Sequence, residues 1–147
     1  MSNSTQGNPA PAPAYEPLAP TEYMLLFRSS GWERNLGQEE MERIMEETLG
    51  WFEQLRQQGK FKAAQPLFEE GKIVQGKGGT SITDGPFAES KEAIGGYLIL
   101  HVTDEDEAVR IARTWPLLQC GASLEVRPVA RECPAFHRLR AERAAAS

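Results

Sequence analysis

The sequence predicts an α+β sandwich of the split βαβ kind, an antiparallel sheet with two helices on one face and an inserted β-hairpin. Three observations carry this prediction. Short runs readable as strands fall at 22–28, 61–68, 95–102 and 122–129. Two stretches with apolar residues at helical spacing, 38–58 and 104–114, separate the first run from the second and the third from the fourth. A glycine-rich insert lies between the second and third runs. The order β-α-β, hairpin, β-α-β closes into one sheet whose second face stays bare.

The first strand, Glu22 to Arg28, alternates so that Tyr23, Leu25 and Phe27 share one face and Met24, Leu26 and Arg28 the other. After a Gly-Trp-Glu-Arg-Asn loop, helix one carries Met41, Ile44, Met45, Thr48, Phe52 and Leu55 as its apolar stripe and stops at Gly59. Glu39, Glu40 and Glu42 near its start and Arg56 near its end suit the helix dipole. The second strand, 61–68, holds Pro66, which marks an edge or bulged strand because proline has no N–H to donate. Residues 72–75 and 80–83 flank a Gly-Lys-Gly-Gly loop as a hairpin.

Asp84, Gly85 and Pro86 then form a turn: Asp bonds its own backbone, Gly accepts positive φ, and Pro fixes φ. Gly95 and Gly96 open the third strand, which places Leu98, Leu100 and Val102 under the helices and Tyr97, Ile99 and His101 on the bare face. Thr103 or Asp104 caps helix two, with Glu107 placed to complete a capping box. Ala108, Ile111, Ala112 and Trp115 form its buried stripe, and Trp115-Pro116 ends it. The last strand puts Leu124 and Val126 on the helix side and Glu125 and Arg127 opposite, and a short helix follows Pro134.

Residues 1–20 are rich in Ser, Ala, Gly and Pro and read as a disordered tail; 21–131 form the domain; 132–147 are a basic tail with helical potential. No Lys or Arg precedes Arg28, so a secretory leader's positive region is missing, no later stretch has membrane-spanning length, and a cytoplasmic location follows. The net charge of −5 argues against nucleic acid as a partner. Cys120 and Cys133 have neither CxxC spacing nor a nearby His set, so no metal site is suggested, and no cofactor motif occurs.

Gly71 to Lys77 fits the first seven positions of a phosphate-cradling loop, but the eighth must be Ser or Thr to hold magnesium, and Gly78 stands there. No strand feeds the segment and no helix follows it, so it reads as a hairpin. His101 is the candidate acid or base, being the only His within the sheet. Arg28, Tyr97, Glu125 and Arg127 share its face as candidate ligand-binding groups, with Arg28 and Arg127 suited to an anionic or carbonyl oxygen. A strand-end His satisfied by backbone or by a partner chain is the plainer alternative for His101. For Asp84 the turn role outweighs a basic one.

Thr83-Asp84-Gly85-Pro86-Phe87, Gly95-Gly96-Tyr97, Trp115-Pro116 and Glu125-Val126-Arg127-Pro128-Val129, taken in order, resemble the DGPF branch of the YCII-related proteins over about residues 22 to 130. The resemblance implies a ferredoxin-like fold of the dimeric α/β-barrel type. It also implies a homodimer joined through the bare face, with a pocket between the sheet and the partner. YCII-like members that look catalytic carry a His on the first helix and an Asp before a Pro after the second. Here helix one has no His and Trp115 precedes Pro116, so that pair does not carry over.

Two functions follow as expectations. One is a protein that binds a small anionic or carbonyl-containing molecule, with lyase-like acid/base chemistry resting on His101. The other is a non-catalytic regulatory or interaction protein linked to an extracytoplasmic-function sigma factor, an association that the resemblance brings with it. For the second, residues 131–147 matter, with four Arg against two Glu.

Overall fold

The computed structural model describes residues 18–28, 31–85 and 93–146. The tail up to residue 17 and Pro86 of the expected turn lie outside these. In chain order the elements are β1 (Glu22–Arg28), α1 (Gln38–Gln57), β2 (Phe61–Pro66), β3 (Lys72–Gln75), β4 (Ser81–Asp84), β5 (Ile94–His101), α2 (Glu105–Ala112) and β6 (Ser123–Pro128). All of these lie in one compact unit, residues 20–129. A further helix, α3 (Pro134–Ala146), belongs to a second unit.

The four main strands form one antiparallel sheet in the order β2-β5-β1-β6, with the first and third main strands central. This is the split βαβ, ferredoxin-like arrangement. Strand alternation decides which face meets the helices. Tyr23 and Leu25 of β1 and Leu98 and Leu100 of β5 are buried against Ile44 and Leu55 of α1 and Ala108 and Ala112 of α2. Phe27, Leu124 and Val126 pack against the same core, as alternation requires.

Helix one buries a slightly different line from the one that spacing suggests. Trp51 is in the core beside Ile44 and Leu55, whereas Met45 and Phe52 flank the core from one side. An apolar stripe more than a quarter of the helix wide contains both lines, and only the packing partner separates them. The Trp51 Nε1–H donates to Thr114 Oγ1 (2.7 Å), and the Thr114 hydroxyl donates to the Ile111 carbonyl (2.7 Å). The end of α2 is thereby tied to the middle of α1.

Helix one closes in a Schellman motif. The Lys60 N–H donates to the Leu55 carbonyl (2.9 Å) and the Gly59 N–H to the Arg56 carbonyl (3.0 Å), with Gly59 at φ 72°. Asp104 caps α2, its carboxylate accepting from the Asp106 N–H (2.7 Å). Glu107, expected to complete a capping box, pairs with Lys60 across the helix gap (2.8 Å). Helix two ends at Ala112, two residues before the expected Thr114, and β2 ends at Pro66, two before the expected Phe68.

The glycine pair at the start of β5 performs two tasks. The register steps from Phe27↔Gly96 to Arg28↔Ile94, so Gly95 is an extra residue, a bulge in β5 opposite β1. Gly96 pairs with Pro66 of β2, and a Cβ there would stand 2.9 Å from the Gln65 carbonyl oxygen. Strands β3 and β4 pair only with each other, and every residue in them is exposed. The Gly71 to Lys77 segment is therefore a hairpin arm, with a short 3-10 turn at Lys77–Gly79.

Candidate functional site

On the bare sheet face, register fixes three rows. Gln65, Tyr97, Leu26 and Glu125 stand side by side across the four strands, Ala63, Ile99, Met24 and Arg127 form the next row, and His101 and Glu22 end the sheet. Arg28 lies beyond the first row and bonds diagonally to Glu125, Nη2 to Oε2 at 2.7 Å, both side chains half-buried. His101 is at the other end, its Nδ1 3.7 Å from Glu22 Oε2, and Lys62 Nζ donates to that same oxygen at 2.5 Å.

The sheet therefore brings Arg28, Glu125 and Tyr97 together and does not bring His101 to them. Arg28 pairs with Ile94 and His101 with Glu22, which separates the two by the length of β1, roughly 20 Å at the rise of an extended strand. Arg127 is opposite Met24, between the two groups, and exposed. His101 is surface-facing, with half of its side chain accessible. Asp84 closes β4 opposite Lys72 and forms an ion pair with it, and the Gly85 N–H donates to the Gly71 carbonyl (2.7 Å) at the base of the hairpin.

A concavity with an aromatic wall lies elsewhere, on the helix side of the sheet where β1 and β2 end. It has a volume of about 340 Å³. Phe27 and Arg28 come from the end of β1, Trp32 and Glu33 from the 3-10 turn that follows, and Met45, Thr48 and Phe52 from α1. Phe68 and Glu69 enter from the segment leaving β2, Gly95 from the bulge, and Trp115 from the stop after α2. At the bulge Gly95 lines the cavity without a side chain.

Trp115 stacks obliquely on Phe27, with ring centroids 4.6 Å apart. Thr48 is part of the wall, and its hydroxyl donates to the Ile44 carbonyl (2.7 Å), which leaves the oxygen lone pairs as acceptors. A second hollow of about 220 Å³ shares Phe27, Phe52, Pro66 and Gly95 with the first. It ends at Arg56, whose guanidinium sits 4.3 Å over the Phe61 ring.

This arrangement suits a flat, mostly apolar molecule with a small number of polar contacts. Neither histidine lines the cavity, so no imidazole is available there as acid or base. No group of three His, Cys, Asp or Glu side chains able to hold a metal ion occurs among the described residues. Also among these, no helix is long and apolar enough to cross a membrane.

Sequence reasoning missed Trp32, Phe52 and Phe68 as cavity walls. The signal was present: Trp32, Phe68 and Trp115 are aromatic residues in connections, and the split βαβ order brings the segments after β1, β2 and α2 to one end of the sheet. A family model described as the YCII-related domain matches residues 22–132. No curated protein matches the chain.

Proposed function

This chain belongs to the YCII-related domain family, and from that premise we propose that it binds a small carbonyl-containing molecule in the aromatic cavity at the ends of β1 and β2. The observation that carries the reading is the cavity itself, about 340 Å³ with five aromatic side chains in its wall. Arg28 lines the cavity from the end of β1, and its guanidinium, held by Glu125 toward the bare face, is the group that would reach over the sheet end to a ligand oxygen. Its charge is matched by Glu125, so it offers N–H donors to a neutral carbonyl more than a net charge to an anion. Burial of a flat body among aromatic rings supplies the attraction, and the guanidinium sets orientation.

The Asp84-Gly85-Pro86 motif supports placement in the DGPF branch, and the half-buried Met24, Leu26, Tyr97 and Ile99 support a homodimer through the bare face. Free thiols at Cys120 and Cys133 support a cytoplasmic location. Acid/base catalysis by His101 has no support from its position. The alternative, an interaction protein in a sigma-factor system, is favoured by one observation: Val74 and Ile82 face each other across the β3-β4 arm and are both largely exposed.

Titration with benzamide, a neutral flat carbonyl compound, tests the binding reading. It should quench tryptophan emission and shift the amide resonances of Thr48 and Gly95, and Arg28→Met should weaken binding about tenfold, the loss of a charge-assisted hydrogen bond. Shifts confined to the bare face, or none at millimolar benzamide, overturn it.

A further inference from the structure

The fixed charges around the cavity are unequal. Among the described residues that line it, Arg28 is the one cation, and Glu125 neutralises it at 2.7 Å. Glu33 and Glu69 also line it, and no ion-pair partner for either occurs among the described residues. Among the described lining residues the carboxylates therefore outnumber the cation.

Each of these glutamates follows an aromatic residue that lines the same cavity, as Trp32-Glu33 after β1 and as Phe68-Glu69 after β2. Two segments far apart in sequence thus each contribute one aromatic and one acidic residue to the same lining. Phe68 is 90% exposed, a large apolar surface left in water. A ring face carries partial negative charge and attracts cations, and a carboxylate beside it adds to that attraction.

We propose that the ligand of this cavity carries a protonated amine or quaternary ammonium group, held between the Trp32-Glu33 and Phe68-Glu69 couples, with its apolar body among Phe27, Phe52 and Trp115. This rests on the cavity being the ligand site. It adds the sign of the ligand's charge, opposite to the anion expected from Arg28 and Arg127. The ligand class is an organic ammonium compound with a flat apolar body, and Arg28, though paired with Glu125, keeps further N–H groups for a carbonyl oxygen on it.

The test compares phenethylamine with 3-phenylpropionate, close in size and opposite in charge, on the full chain at neutral pH by calorimetry or amide-shift titration. Phenethylamine should bind at least about tenfold more tightly, and less so as salt is raised, because the mouth is open to solvent. In Glu33→Gln/Glu69→Gln the ratio of the two affinities should fall toward one; being internal to the variant, it is insensitive to a partial loss of folding. Equal or tighter binding of the carboxylate in the native chain, or an unchanged ratio in the variant, overturns the ammonium assignment and leaves the cavity reading standing. If neither compound nor benzamide binds, the cavity reading fails and the assignment with it.

Discussion

Glycines at two positions of this chain predict opposite signs of the same substitution. At Gly96 an added Cβ would meet the Gln65 oxygen at 2.9 Å and the Pro66 Cα at 3.2 Å, both backbone atoms, so β2 and β5 must part. Gly96→Ala is expected to destabilise by about 1–3 kcal/mol, as overpacking does. Gly50 sits inside α1 with nothing within 4 Å of its would-be Cβ, so Gly50→Ala should stabilise by about 0.5–1 kcal/mol through helix propensity and a less free unfolded chain. Urea midpoints for the two variants check both; a stabilised Gly96→Ala would mean that the β2-β5 contact is looser than the distances state. At this same scale the sequence told faces but not rows. A period of two assigns Arg28, His101 and Arg127 to one face, which the register bears out, yet says nothing of where along the strands each one falls. That is why His101 stands a full strand length from Arg28.

Between elements, the strands differ in how they are held. The four main strands share a core in which Leu25, Ile44, Leu98 and Leu100 are fully buried, whereas β3 and β4 have only each other. A two-stranded ribbon exposed on both sides is marginal in water. Backbone amides in Lys72–Gln75 and Ser81–Asp84 are therefore expected to exchange with solvent through local opening at least about a hundredfold faster than those of Leu25 and Leu98. Comparable protection in native-state hydrogen exchange would show that the arm is covered by something in solution. Element order, both helices, the hairpin and the helix-facing residues of β1, β5 and β6 were all legible in the sequence, because each rests on local periodicity or turn chemistry. The cavity was not, since it is made where the ends of elements meet, and Trp32, Phe68 and Trp115 become neighbours only through the strand order.

For the whole molecule, the proposed dimer has its contact on the bare face. Met24, Leu26, Tyr97 and Ile99 form two adjoining half-buried rows there. If the proposed dimer forms there, Ile99→Glu is expected to shift it toward monomer or aggregate, since it would place an unpaired charge in that apolar contact. Sedimentation velocity at micromolar concentration reads the outcome, and a native chain that is already monomeric there removes the dimer. The bulge at Gly95 bears on the molecule as a whole in another way. In a strand of strict alternation, a residue gained or lost turns every later side chain over, and the core with it. At Gly95 the register with β1 is already broken, so an insertion or deletion before Gly96 leaves Leu98 and Leu100 facing the helices and alters only the floor of the cavity. Descendants of this chain can thus change length at the cavity end while the sheet that supports it stays the same.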